Sequence, residues 1–197
     1  MTDWPIIFSG AMIGATIEGR KTMTHRLATS PLTKCSPGDR FWVRESYWPS
    51  PAVDKFTRHP LEVRYCADPD GDAQFKWWRA PYQGAKAAKA CPAIHMPRRA
   101  SRLTLVVTEK KIEPLLDISE EDAVAEGFAA GQLNDGFGPR EIGDRWIIES
   151  YGTLCSAVGM FQIGWAELHP KWDGYSSPDV VALRFTVVPR NIDQAAP

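Results

Sequence analysis

The sequence predicts an α+β fold: a small curved sheet or barrel, short helices packed on it, and long loops between. Three observations carry this. Four segments, Phe41–Tyr47, Leu61–Ala67, Leu103–Lys111 and Val180–Val188, show the β-branched or alternating pattern of strands. Helical patterns are few, short and bounded by capping residues. The stretches between them are rich in proline, glycine and aspartate, and they lack any period. Strands that outnumber helices, without regular βα alternation, point to this class rather than to a doubly wound sheet.

The first element is a helix in "FSGAMIGATIEGR". Ser9 is a suitable N-cap, and Met12, Ile13, Thr16 and Ile17 fall on one face. Gly19 supplies the left-handed residue that ends it, and "THRLA" continues as an extended segment. Pro37-Gly38-Asp39 forms a turn into a strand in which Phe41 and Val43 alternate with Trp42 and Arg44. Residues 49–60 hold three prolines and read as loop; "LEVRYCA" alternates as a strand and "DPDGD" turns the chain. From Gln74 to Pro97 no period emerges, and the segment reads as a long ordered loop with a short helical piece. "SRLTLVVTEKKIEPL" is the clearest strand. In "DISEEDAVAEGF", Ser119 caps a short helix, three acidic residues follow at its positive end, and Gly127 stops it. "AAGQLNDGFGPREIGD" reads as an inserted loop. Helical character then runs to His169-Pro170, and "VVALRFTVV" is the last strand.

The chain has 197 residues, 44% hydrophobic and 24% charged, which fits one soluble domain able to bury a core. Its net charge of −1 sets up no global field toward nucleic acid or membrane, so any nucleic-acid contact needs a local basic patch. Cys35, Cys66, Cys91 and Cys155 are too dispersed for a zinc knuckle, and His25, His59, His95 and His169 are isolated. No metal and no cofactor is expected, since phosphate-cradling glycine loops and nucleotide fingerprints are missing. The N-terminus lacks a signal-peptide pattern and no apolar run approaches the roughly 20 residues of a membrane span. The expectation is a cytoplasmic protein with free thiols and no membrane partner.

One stretch, "IEGRKTMTHR", crowds cations, hydroxyls and an imidazole just after a helix end. The pattern of a helix followed by Gly-x-Lys-x-x-x-x-Arg, here Gly19, Lys21 and Arg26, resembles the signature of the ASCH domain, a relative of the PUA-like RNA-binding barrels. "PGDRFWVRES", "HMPRRASRLTLVVT" and "LLDISEEDAVAEGF" follow in the matching order. The whole is most similar to the longer ASCH-type proteins of bacteriophages and prophages. The resemblance implies a single PUA-like small β-barrel over 1–197, with flanking short helices and long insertions at about 49–92 and 129–159.

Some small bacterial ASCH proteins are amidohydrolases that remove the acetyl group from the exocyclic amine of acetylcytidine. Carried over motif by motif, their proposed catalytic set falls on Lys21, Thr24 and Glu126. Those enzymes are nearly half as long, so the insertions either shape or block a pocket. Amide hydrolysis needs a nucleophile, a proton acceptor and a stabilised oxyanion. Lys21 is a base only if burial and the cations Arg20 and Arg26 lower its pKa from about 10.4, against the pull of Glu126. If it stays charged, it fits oxyanion stabilisation, and Glu126 becomes the base. Glu126 sits at a helix C-terminus, where the dipole disfavours a carboxylate by roughly 0.3–1 kcal/mol, and a nearby cation such as Lys21 would remove that conflict. Residue types alone favour a plainer account: a solvated strand edge at Lys21–Arg26 and a solvated Glu126. His25 points away from Thr24 in an alternating strand.

Candidate substrate-binding residues are Arg26, then Trp42, Arg44 and Glu45 on the next strand, then Arg98 and Arg99. Glu45 either pairs across the sheet or meets a base edge. Arg98, Arg99 and Arg102 form a candidate phosphate stripe, and Trp77 and Trp78 are candidate base-stacking surfaces. The expected partner is a modified nucleoside or nucleobase, with single-stranded or structured RNA as its polymeric form. Two rival readings remain: a non-catalytic module that binds RNA, DNA or a modified base, and a phage accessory protein whose insertions make protein contacts.

Overall fold

The computed structural model describes residues 1–49, 63–68, 90–132, 141–142, 145–146 and 154–195. In chain order the elements are β1 (Asp3–Ile7), α1 (Gly10–Ile17), β2 (Met23–Leu27), β3 (Arg40–Arg44), β4 (Tyr47–Pro49), β5 (Val63–Tyr65), β6 (Thr104–Pro114) and α2 (Glu120–Ala125). Four two-residue strands follow, β7 (Gly131–Gln132), β8 (Glu141–Ile142), β9 (Arg145–Trp146) and β10 (Leu154–Cys155), and then α3 (Ala157–Leu168) and β11 (Asp179–Val188). The chain divides into two units, one of Met1–Gly19, Pro37–Val107 and Phe185–Pro197, the other of Arg20–Ser36 and Thr108–Arg184. Strands β6 and β11 are long enough to give part of their length to each.

In the first unit the strand order is β1-β3-β6-β11, with β1 parallel to β3 and β3 antiparallel to β6. β1 is an addition to the expected strands. Pro5 sits in its middle, opposite Trp42, and has no N–H to donate, which an edge strand tolerates. The buried faces bring together Ile6, Phe41, Val43, Leu105 and Phe185, and the rings of Phe8 and Phe185 lie 6.4 Å apart. Ser9 Oγ caps α1 by accepting from the Met12 amide at 3.4 Å, and Gly19 follows the helix at φ +75°. The apolar face of α1 is narrower than its pattern predicts: Ile13 and Thr16 are buried, but Ile17 is 53% exposed. The expected strand Phe41–Tyr47 is broken at Glu45-Ser46 into β3 and β4, and β4 turns to pair with β5 through Tyr47 and Tyr65. Tyr47, Met96 and Ala100 pack beneath that pair, with Tyr65 and Cys91 against them. Two 3-10 turns, Ala93–His95 and Arg98–Ala100, each follow a proline.

In the second unit the order is β6-β11-β2, with β2 antiparallel to β11 from Leu27 opposite Val180 to Met23 opposite Arg184. Ser119 caps α2 and Ser156 caps α3, each accepting from the amide three residues on. Leu115, Ile118, Ala123, Phe161, Trp165 and Trp172 form the core that joins α2 and α3 to the strands. Gly164 lets α3 lie against Phe128: a Cβ there would meet the Phe128 ring at 2.7 Å. The α+β class is as expected. Among the described residues, the strand order within each unit runs between two ends, and the closed barrel that the resemblance implies is not seen. The expected insertions fall largely outside the described residues, as do His59, Trp77 and Trp78. Among the described residues, no helix is long and apolar enough to cross a membrane. The four cysteines are free thiols.

Candidate functional site

The crowded stretch after α1 closes the end of another helix. Helix α2 leaves its last carbonyls without partners inside the helix. Residues 20–22 supply donors to three successive carbonyls there. The Thr22 amide donates to the Ala125 carbonyl at 2.7 Å. Lys21 Nζ donates to the Glu126 carbonyl at 3.0 Å, and Arg20 reaches the Gly127 carbonyl at 3.4 Å. Gly127, at φ +98°, then turns the chain away. The "RKT" run is thus a C-cap supplied from about a hundred residues earlier in the sequence.

The same geometry joins the side chains of Lys21 and Glu126. Lys21 Nζ donates to Glu126 Oε2 and to the Met23 carbonyl at 2.9 Å, in addition to the Glu126 carbonyl. Three acceptors around one nitrogen match the three protons of an ammonium; a neutral amine has only two. Both residues are buried, Lys21 at 0% and Glu126 at 5% exposure, so the pair is an ion pair removed from water. Burial alone would raise the Glu126 carboxyl pKa, but Lys21, His25 and Arg26 together hold it below the ordinary glutamate value. Burial pulls the Lys21 pKa down, the Glu126 carboxylate pulls it back, and Arg26 adds to the lowering. The helix-end carboxylate that the dipole disfavours is therefore compensated by a lysine, not by solvent.

Thr24 is wholly buried, and its Oγ1 accepts from Arg26 Nη1 at 2.8 Å. Arg26 also donates to the His25 carbonyl at 2.7 Å. Lys21, Thr24, Arg26 and Glu126 all belong to the second unit. A pocket of about 120 Å³ in this unit is lined by Met23, Glu109, Lys110, Lys111, Asp122, Ala182 and Arg184, and none of Lys21, Thr24 or Glu126 lines it. At its wall Asp122 is held between Lys111 and Arg184, which keeps its carboxyl pKa low against the opposing effect of burial.

His25 is a further residue of this cluster, one that strand alternation does not single out. Its backbone N–H donates to Glu126 Oε1, and its Nδ1 lies 3.0 Å from the same oxygen. Its Nε2 is 3.4 Å from Glu113 Oε1. Alternation places His25 and Thr24 on opposite faces of β2, but both faces are buried: Met23, Thr24 and His25 are all within 3% exposure. The available signal was the run Glu109, Lys111, Glu113, which presents charges on one face of β6.

The remaining candidates, Trp42, Arg44, Glu45, Arg98 and Arg99, belong to the first unit. Glu45 is buried, and both its oxygens accept from Arg102, at 2.8 and 2.9 Å. Burial raises the Glu45 pKa and Arg102 only partly offsets that. The partner of Glu45 is thus Arg102, whose guanidinium also lies 3.9 Å from the Tyr65 ring centroid. Arg44 sits over the Trp42 ring at 5.2 Å. Arg98 is bound by Asp3 at 2.6 Å and by Asp193 at 2.8 Å, and Arg99 is exposed. Among the described residues, no group of three or more His, Cys, Asp or Glu side chains is arranged to hold a metal. No family model matches the chain, and no curated protein or solved structure matches it significantly.

Proposed function

We propose that the second unit is an amidohydrolase site that removes an acyl group from the exocyclic amine of an N4-acylated cytidine, within a PUA-like ASCH relative. The observation that carries this is the buried Lys21–Glu126 ion pair, linked to Thr24 through Arg26, which donates to Thr24 Oγ1 and whose charge acts on Glu126. These are the residues on which the resemblance places the chemistry. A lysine whose three protons are all donated has no lone pair for proton abstraction, and it acts on an oxyanion through its charge. Glu126, held ionised, is then the base. In the proposed first step the Thr24 hydroxyl forms a bond to the acyl carbon and its proton passes to Glu126. Glu126 returns that proton to N4 as the C–N bond breaks. Water then forms a bond to the acyl carbon as its proton passes to Glu126; the bond from that carbon to Thr24 Oγ1 breaks, Glu126 returns the proton to Thr24 Oγ1, and the carboxylic acid leaves.

The rival is a module that binds a modified base without turning it over. It is favoured by the complete burial of Lys21 and Thr24 and by the capping role of Lys21, which is sufficient reason for a lysine there. The polymeric version of either reading has weaker support, because Arg98 and Arg102 each hold two carboxylates already. A variant series tests the assignment. Thr24→Ser should keep part of the rate and Thr24→Val should lose it. Lys21→Arg preserves charge but is never a base, so survival of that variant supports the oxyanion role. Turnover that persists in Thr24→Val, with the fold intact, refutes Thr24 as nucleophile.

A further inference from the structure

We propose that His25 and Glu113 are positioning residues of this site: with Glu126 they make a carboxylate–imidazole–carboxylate line that fixes the base in place. The inference rests on the amidohydrolase reading of Lys21, Thr24 and Glu126. Its geometry is specific. Glu126 Oε2 is held by Lys21, while Oε1 is held by two donors of one residue, the His25 amide and, at 3.0 Å, the ring Nδ1. Both oxygens of the carboxylate are thus held. The ring is fixed in turn from its other side, with Nε2 3.4 Å from Glu113 Oε1. Glu113 Oε2 is 3.0 Å from Lys111 Nζ, so the line runs from a fully buried carboxylate to a lysine that is 42% exposed. Phe161 of α3 meets the imidazole edge-on at 5.4 Å and holds its plane.

Packing alone does not call for this arrangement. The Glu126 charge already has an ammonium and a backbone N–H, and an aliphatic side chain would fill the space between β2 and Phe161. An imidazole there brings a second carboxylate toward the core, which needs a compensating use. The charged groups around the ring are Glu126 at the end of α2, Lys21 behind it, Glu113 and Lys111 on β6, and Arg26 on the same strand. Helix α3 presents Phe161 and β11 presents Ala182, neither of them charged. A ring nitrogen facing Glu126 Oε1 as donor stabilises the ionised form of Glu126 and keeps the base competent as pH falls.

The test uses the full chain and two readouts. One is the pH titration of the Glu126 carboxyl carbon by NMR without ligand; the other is kcat/KM against pH with N4-acetylcytidine. His25→Phe keeps the ring packing and removes both nitrogens. Glu113→Gln leaves His25 in place and removes the second carboxylate at a partly exposed position, which protects the test should His25→Phe fold poorly. Both variants should move the Glu126 midpoint and the acid limb upward together, by about one pH unit for His25→Phe. kcat should fall on the order of tenfold to a hundredfold with KM little changed. His25→Asn retains a donor near the Nδ1 position and should recover part of kcat. A Glu126 midpoint unmoved in Glu113→Gln, and in His25→Phe where that variant folds, overturns the inference. A midpoint that moves in a protein unable to hydrolyse any acylcytidine upholds the linkage and rejects the amidohydrolase reading.

Discussion

Replacing Lys21 by methionine isolates the energetics of the buried pair. Methionine has nearly the length and volume of the lysine stem, so no large cavity is left. What is lost is the ammonium and its three bonds, to the Met23 carbonyl, the Glu126 carbonyl and Glu126 Oε2. Removing one partner of a buried ion pair costs about 3–5 kcal/mol, because the other charge stays buried. Glu126 keeps the His25 amide, the His25 ring and the field of Arg26, which places the cost near the lower end, about 3 kcal/mol. The cost depends on pH. In the wild type the Glu126 pKa is lowered, so its contribution is fully present above the unfolded glutamate value of about 4.3 and is lost as pH falls through the folded value. In Lys21→Met, burial instead raises that pKa, and the penalty is relieved as pH drops through the raised value. The variant should therefore differ most from wild type near about pH 8, and the difference should shrink as pH falls, until it is least below the lowered wild-type value. Urea midpoints at constant m-value read this directly. Adding Glu126→Gln to Lys21→Met should cost little more than either change alone, with a coupling on the order of 3 kcal/mol. Additive costs, each below about 1 kcal/mol, would refute the buried ion pair.

Other outcomes follow from the same unit. Asp122→Asn removes the carboxylate between Lys111 and Arg184 and should cost about 1 kcal/mol above pH 5, given the partial exposure of both cations. Because the Asp122 pKa is lowered, the difference from wild type should vanish as pH falls through its folded value, as acid denaturation curves would show. Gly164→Ala gains up to about 1 kcal/mol of helix propensity, but its Cβ meets the Phe128 ring at 2.7 Å, an overpacking of about 1–3 kcal/mol. A net fall in Tm is expected, accompanied by perturbed Phe161 resonances, since Phe128 and Phe161 meet edge to face at 5.7 Å. A higher Tm would show that Phe128 yields without cost.

Elements with local causes could be read from the sequence. Ser9, Ser119, Gly19 and Gly127 mark helix ends through bonds or dihedrals within a few residues, and β6 announces itself by its β-branched run. Features with distant causes were harder. β1 was obscured by Pro5, which only its edge position permits. The break after β3 reflects Glu45, whose amide meets Met96 sulfur and whose carboxylate is taken by Arg102, 57 residues away. The sequence separation of 105 from Lys21 to Glu126 leaves no periodic trace. The resemblance and the misplaced helix-end charge together pointed to that pair. His25 escaped notice because alternation correctly set it opposite Thr24, while the burial of both faces of β2 depends on the packing of α2 and α3.

The central claim is that the cluster of Lys21, Thr24 and Glu126 hydrolyses an acylated exocyclic amine. The most direct measurement incubates the pure protein with a panel of N4-acylcytidines of increasing acyl length and follows free cytidine and carboxylic acid together. The account predicts stoichiometric release of both products from at least one member. Glu126→Gln should lower that rate on the order of a hundredfold or more, since it removes the proposed general base. No release from any member of the panel by folded protein, or release undiminished in Glu126→Gln, would contradict it.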